Sequence, residues 1–387
     1  MFALLFASLL LFPRIGVRAN FEGGSIGKVA QVSPTHLRCT LKVQWDQDHR
    51  NSQADYYYFE LTKLPHEPIT IDFVDLDVEF YNFKGPLDAL DKGERPVYSY
   101  DDIHWKHFPK DQVHWNPHGP QLTLSFTPES DHMWIAHVPP YTNENLANLL
   151  DAFRGSPYMK VQTVGHTVEG RKMLLLTITN SKIPESKKKV IWLMFRQHAW
   201  ETGSSWTCDG AVRFLLSNDP RAAHIRDEVI YKIFPMAAPD GVANGWVRFN
   251  ANGYDLNRNW DTPNPKTMPE IWAQRKAILD WVKSGHRLDL FLTLHNTETA
   301  EYLEAPAAYR ALGQRVFNAL VETTSFNPTT PLRTMRVSTT RGMPGRMTAN
   351  QGLFHDRHLP AMLMEQMIEY NSKLGHCPTV ADRKAFG

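Results

Sequence analysis

Beyond Pro139–Pro140 the chain becomes a succession of apolar runs separated by stretches of helical periodicity, and this constrains its fold more than any other feature. Strands are read at residues 174–179, 190–195, 229–234, 288–294 and 360–364, and helices at 203–216, 269–282 and 307–323. Strands that alternate with helices build an α/β sheet covered on both faces. Ahead of the double proline the pattern is different: Gln121-Leu-Thr-Leu-Ser-Phe126 alternates polar with apolar, and turn-rich gaps follow each short run. Residues 20–138 therefore read as an antiparallel β sandwich, and residues 139–387 as a second, α/β unit. Proline ends regular structure and stiffens a link, which places the boundary at Pro139–Pro140.

The sharpest chemical signal is His198-Ala-Trp-Glu201, which follows the apolar run of residues 190–195 directly and is answered much later by His295 in Phe291-Leu-Thr-Leu-His295. With 17 histidines in 387 residues, about one H-x-x-E match is expected by chance. Three occur. His166-Thr-Val-Glu169 runs into Gly170, a turn signal, and no helical pattern follows His295-Asn-Thr-Glu298. After Glu201, by contrast, Trp206, Ala211, Phe214 and Leu215 recur at helical spacing. The motif thus sits where a buried strand hands over to a helix, the place where open α/β sheets bind ligands. Two imidazoles and one carboxylate form a three-ligand zinc set with a fourth position open to water, as hydrolysis requires.

Two further clusters accompany it. Asn244-Gly-Trp-Val-Arg248 precedes Gly253-Tyr-Asp-Leu-Asn257-Arg258-Asn-Trp260, and a guanidinium beside an amide can grip a carboxylate in two-pronged fashion. Leu359-Pro-Ala-Met-Leu-Met-Glu365 ends an apolar strand on an acid, which is costly there unless paired or used.

With these residues in hand, the chain resembles the zinc metallocarboxypeptidases, and among them the cytosolic-carboxypeptidase-like branch with an extra β domain in front. Gly165 to Arg171 is similar to the family's entry motif, His198 to Glu201 to its H-x-x-E, and Asp255 to Trp260 to its D-x-N-R-x-W segment. Residues 291–295 are similar to the third-ligand strand, and residues 363–365 to the strand bearing the catalytic glutamate. Residues 20–25 and 136–141 resemble the opening and closing segments of the N-terminal domain. The resemblance implies a carboxypeptidase-like fold with a mixed, mostly parallel sheet, and one zinc ion held by His198, Glu201 and His295.

It also implies a mechanism that suits the residue types. Glu365 acts as general base and then as acid, Arg248 faces the oxyanion, and Asn257 and Arg258 anchor the free carboxylate of peptide or protein C-termini. Two departures are visible. No tyrosine lies between Tyr309 and Tyr370, where the family places a substrate-covering phenol, and Trp200 stands where digestive members carry an arginine. Arg333, Arg336, Arg341 and Arg346 form a basic stretch that reads first as a solvated loop. A preference for acidic C-terminal residues is the alternative.

A net charge of +1 provides no field for nucleic acid. Residues 2–12 are apolar but too short to span a bilayer, and Val17-Arg-Ala19 is a small-residue cleavage pattern, so residues 1–19 read as a signal peptide and the protein as secreted or periplasmic. No membrane contact beyond that segment is expected. Cys39, Cys208 and Cys377 have neither C-x-x-C spacing nor an even count. His104, His107, His114 and His118 read as solvent-facing loop histidines. Two rival functions are an N-acyl amino acid deacylase on the same fold and a non-catalytic binding protein.

Overall fold

The computed structural model describes residues 14–80, 83–86, 93, 95–119, 121–336 and 345–387. A pair of five-stranded sheets face one another in the N-terminal region. One runs in the order Gly16–Arg18, Tyr58–Thr62, His132–Ala136, Val97–Ser99, Lys106–His107, and the other Val113–Asn116, Gln121–Phe126, Ile69–Phe73, His36–Cys39, Val29–Ser33. Alternation explains the arrangement: Gln121–Phe126 buries Leu122, Leu124 and Phe126, and these share one apolar cluster with Phe59, Leu61, Met133 and Ile135 of the opposite sheet. Pairing is antiparallel except between His36–Cys39 and Ile69–Phe73, which run parallel.

The signal-peptide reading of residues 1–19 does not hold. Gly16–Arg18 is a strand in register with Glu60 to Thr62, Ile15 lies in the buried core, and the Arg18 guanidinium pairs with Glu60. A cut before Asn20 would strip an edge strand and a core side chain from the sandwich. The apolar run 2–12 lies outside the described residues. Among the described residues no helix is long and apolar enough to cross a membrane.

The C-terminal region is built on an eight-stranded sheet in the order Met159–His166, Lys172–Ile178, Val229–Phe234, Lys189–Phe195, Leu290–Thr297, Ala361–Met367, Tyr302–Ala305, Arg333–Thr334. Its four central strands, from Val229–Phe234 to Ala361–Met367, are parallel, and antiparallel neighbours flank them. Successive side chains go to opposite faces. Leu176, Phe195, Ile233, Leu292 and Met362 pack under helices Asn143–Ala152, Thr202–Leu215 and Arg310–Thr323. Leu175, Met194, Phe234, Phe291 and Ala361 pack under Pro269–Lys283 and Ala349–Arg357. Both faces are therefore covered, and the continuous apolar runs in the sequence follow from that double burial.

Two strands run longer than hydropathy indicates. Leu290–Thr297 continues through His295, and Ala361–Met367 through Glu365, because their pairing carries on through His295↔Glu365, Asn296↔Gln366 and Thr297↔Met367. The side chains there are mostly polar, so the apolar signal stops before the strand does. The helix expected at 307–323 opens as a 3-10 turn at Ala307–Tyr309 before Arg310–Thr323.

Candidate metal centre and active site

The Lys189–Phe195 strand ends at Arg196, which turns the chain with φ 59°, a left-handed conformation that costs an ordinary residue energy. Its guanidinium, 2% exposed, holds the turn together by donating to the Ala199 carbonyl (2.8 Å), the Tyr141 carbonyl (3.2 Å) and Ser205 Oγ (3.0 Å). Burial pushes this arginine down to about 10. At the end of the turn, Glu201 occupies the N-cap of helix Thr202–Leu215. His198 and Glu201 are thereby fixed on one short turn at the edge of the parallel strands, and His295 reaches them from the neighbouring strand.

One donor atom from each of His198, Glu201 and His295 lies within 4.8 Å of the others, all three residues being buried. His198 Nδ1 stands 2.5 Å from Glu201 Oε1, and His295 Nδ1 stands 2.9 Å from Glu201 Oε2. The latter two atoms are buried without hydrogen-bond geometry to any partner. The outer ring nitrogens fix the tautomers. His198 Nε2 faces Asp255 Oδ1 at 3.1 Å, and His295 Nε2 faces Gln197 Oε1 at 2.9 Å. Both oxygens only accept, so with zinc in place each Nε2 would carry the proton and each Nδ1 would present a lone pair to the ion. Two such lone pairs and a carboxylate suit a single zinc ion.

Asp255 also accepts from Arg248 Nε at 2.7 Å. Burial pushes its carboxyl up, but Arg248, Arg258 and His198 outweigh this and hold it well below the usual range. Arg248 is thus seated one residue from a candidate ligand. Glu365 lies across from His295 on the next strand, and its Oε2 is buried without a hydrogen-bond partner. Burial, followed by the charges of Glu201 and Glu298, raises this carboxyl well above its ordinary value. Tyr302 is in register with Glu365 on the other side, so His295, Glu365 and Tyr302 form one row on one face. A phenol therefore neighbours the acid even though the later loop has none.

Asn257, 4% exposed, is committed through its amide oxygen. Nδ2 lies 3.3 Å from His295 Nε2, and Oδ1 accepts from the Ala349 amide at 2.9 Å. Arg258 lines a cavity of about 370 Å³ together with Arg50, Arg248, Asp255 and Arg346. The basic stretch is divided: Arg346 lines this cavity, Arg333 lies over the Tyr302 ring at 3.5 Å, Arg336 is exposed, and Arg341 lies outside the described residues. The loop histidines form no cluster suited to a metal among the described residues, and Cys39 and Cys208 are buried free thiols.

Gln197, Asp255 and Arg196 were not singled out by the sequence reading. Their signal was polarity: Gln197 and Arg196 follow a buried strand directly, and Asp255 begins the N-x-R segment. Trp200, buried against Val247 and Val138, contributes to an apolar cluster that joins the N-terminal and C-terminal regions.

Residues 146–311 match the family described as zinc carboxypeptidase, and residues 17–138 match the cytosolic carboxypeptidase N-terminal domain. Cytosolic carboxypeptidase 3 of Bos taurus is 31% identical over 281 residues, covering 67% of this chain and 27% of that protein. Cytosolic carboxypeptidase 6 of Homo sapiens is 29% identical over 294 residues, covering 73% and 57%. The chain thus spans about a quarter of the former and somewhat over half of the latter. Among solved structures, a metallo-carboxypeptidase from Burkholderia cenocepacia superposes with a TM-score of 0.78 at 25% identity, covering 96% of each chain. One from Pseudomonas aeruginosa superposes with a TM-score of 0.76 at 22% identity, covering 96% of each, and shares the fold. The secreted or periplasmic placement is overturned: the relatives are named cytosolic, and the N-terminal domain match begins at residue 17, inside the supposed leader.

Proposed function

The chain belongs to the zinc metallocarboxypeptidases and carries the N-terminal domain of their cytosolic branch, and on that premise we propose that it removes C-terminal residues from peptides or proteins. The observation that carries this reading is the convergence of His198, Glu201 and His295 beside a partnerless acid oxygen on Glu365. The three residues would hold zinc, which when bound would supply Lewis-acid chemistry, acidifying a water and polarising the scissile carbonyl.

The chain's own residues do the rest. Glu365 Oε2, buried without a hydrogen-bond partner, takes a proton from the attacking water and returns it to the departing amine. Arg248, steadied by Asp255, turns its remaining N–H groups towards the oxyanion. Arg258, on the cavity wall, grips the free carboxylate and makes cleavage exopeptidic. Asn257 shares that task by holding the Ala349 backbone through its Oδ1. Asp255 and Gln197 keep both imidazoles in the inward-facing tautomer. The division of the chain at Pro139–Pro140 belongs to the same proposal, and separate apolar clusters on either side support it.

Incubating metal-loaded and chelator-treated protein with a peptide mixture, followed by mass spectrometry, tests the reading. Stepwise shortening from the C-terminus in the loaded sample alone is expected. Cleavage of N-acyl amino acids without any peptide shortening would instead favour a deacylase.

A further inference from the structure

The segment bearing Arg248 lies between helix Pro239–Ala243 and helix Pro269–Lys283 and forms no extended strand or helix of its own. A side chain from the N-terminal region of the molecule holds it. Gln44 sits in strand Gln44–Trp45, which pairs with Ser52–Gln53 as a small hairpin. Its Oε1 accepts from three successive backbone N–H groups, those of Val247 (3.2 Å), Arg248 (2.8 Å) and Phe249 (3.0 Å). Its Nε2 donates to the Phe249 carbonyl at 2.8 Å. One amide thus serves three donors and one acceptor of a single segment 203 to 205 residues away.

Successive N–H groups pointing to one side form a concavity that attracts an oxygen. Here a neutral amide oxygen fills it, so the backbone is fixed with no added charge beneath the arginine. From this anchored backbone the Arg248 side chain reaches Asp255, and Asp255 reaches His198. Two other contacts between the N-terminal and C-terminal regions lie at the ends of the segment: Lys42 Nζ donates to the Asn244 carbonyl at 3.2 Å, and the Gln47 amide to the Gly253 carbonyl at 3.1 Å. Gln44 alone among these acts on the arginine's own peptide.

We propose that Gln44 is a positioning residue for the hydrolysis: through it the N-terminal β region sets the backbone of Arg248 and so the aim of the guanidinium at the developing oxyanion. The inference rests on the carboxypeptidase reading above and gives the β region a share in turnover. A displacement of about 1 Å in such a group costs up to about a hundredfold in rate, and the loss falls on kcat because the oxyanion exists only in the transition state.

The test compares wild type, Gln44→Ala, Gln44→Glu, Lys42→Met, Arg248→Ala and the Gln44→Ala/Arg248→Ala double variant on one peptide that wild type cleaves. Metal content and thermal melting are measured for each. Gln44→Ala is expected to lower kcat about tenfold to a hundredfold, with KM within about twofold, full metal content and little further loss in the double variant. Binding of a phosphonate peptide analogue, which mimics the tetrahedral oxyanion, should weaken in parallel with kcat. Gln44→Glu keeps the shape but loses the donor to Phe249, and it should also turn over slowly; Lys42→Met should match wild type. If both Gln44 variants fold, hold metal and keep wild-type kcat, the proposal is overturned. It is equally overturned if the Gln44→Ala and Arg248→Ala losses multiply in the double variant. If metal-loaded wild type shortens no peptide, the carboxypeptidase reading itself has failed, and the role of Gln44 falls with it.

Discussion

His295 and Glu365 stand opposite one another in the register of two adjacent parallel strands, so a candidate metal ligand and a candidate acid project from the same face as lateral neighbours. Seventy residues separate them in the chain, and backbone pairing alone fixes their spacing. That pair is therefore held by the geometry of the sheet.

Glu365→Gln should leave the metal ligands in place and remove the proton acceptor. Turnover is expected to fall by about 100- to 10,000-fold, with the metal content of the purified variant equal to that of wild type. A variant that retains metal and loses less than tenfold in kcat would move the base elsewhere.

Arg258→Ala should discriminate between substrates. A hydrogen bond to a charged group contributes about 1.5–3 kcal/mol, so kcat/KM for peptides with a free C-terminal carboxylate should drop by roughly tenfold to a hundredfold. The residual activity on a C-terminally amidated peptide should be unchanged, and equal losses on both substrates would refute the anchoring role.

Arg196→Met removes the three donations that tie the ligand turn to Ala199, Tyr141 and Ser205. Supporting groups of this kind contribute about tenfold to a hundredfold in metal affinity. Competition against a chromophoric chelator should show that loss, and wild-type affinity in a folded variant would show the turn to be self-supporting.

Lys232 reports on stability rather than catalysis. It is 7% exposed, donates to Thr177 Oγ1 at 3.0 Å and lies 4.2 Å from the centre of the Trp281 ring. Burial, opposed by the Glu185 charge, brings it down from 10.5 to about 8. The folded state therefore binds this proton less tightly than the unfolded chain. Burying the charged lysine costs stability below pH 8, and the cost fades as pH rises from about 8 to 10.5. It is at most about 3 kcal/mol. Relative to wild type, Lys232→Met should gain most at pH 7 and least at pH 10 in urea titrations; an equal difference at both would show that the lysine is stably charged in place.

The fold was legible wherever burial leaves a periodic trace. The run 190–195 is apolar throughout because both of its faces are covered, and Gln121–Phe126 alternates because one of its faces is. Where side chains turn polar at the site, as at His295 to Thr297, the trace ends although the strand does not. The leader-like N-terminus misled for a related reason: Gly16–Arg18 is short, and nothing local shows that Tyr58–Thr62 will pair with it.

By itself the sequence determined the chemistry: two imidazoles and an acid at strand ends, a further acid in an apolar strand, and a two-arginine segment between them. Tertiary structure decided which atoms face inward, through Asp255 and Gln197, and which distant side chain holds Arg248 in place. Residue type and periodicity are local properties of the chain, whereas a hydrogen bond accepted by Gln44 from a peptide some 200 residues away exists only once the two regions have docked.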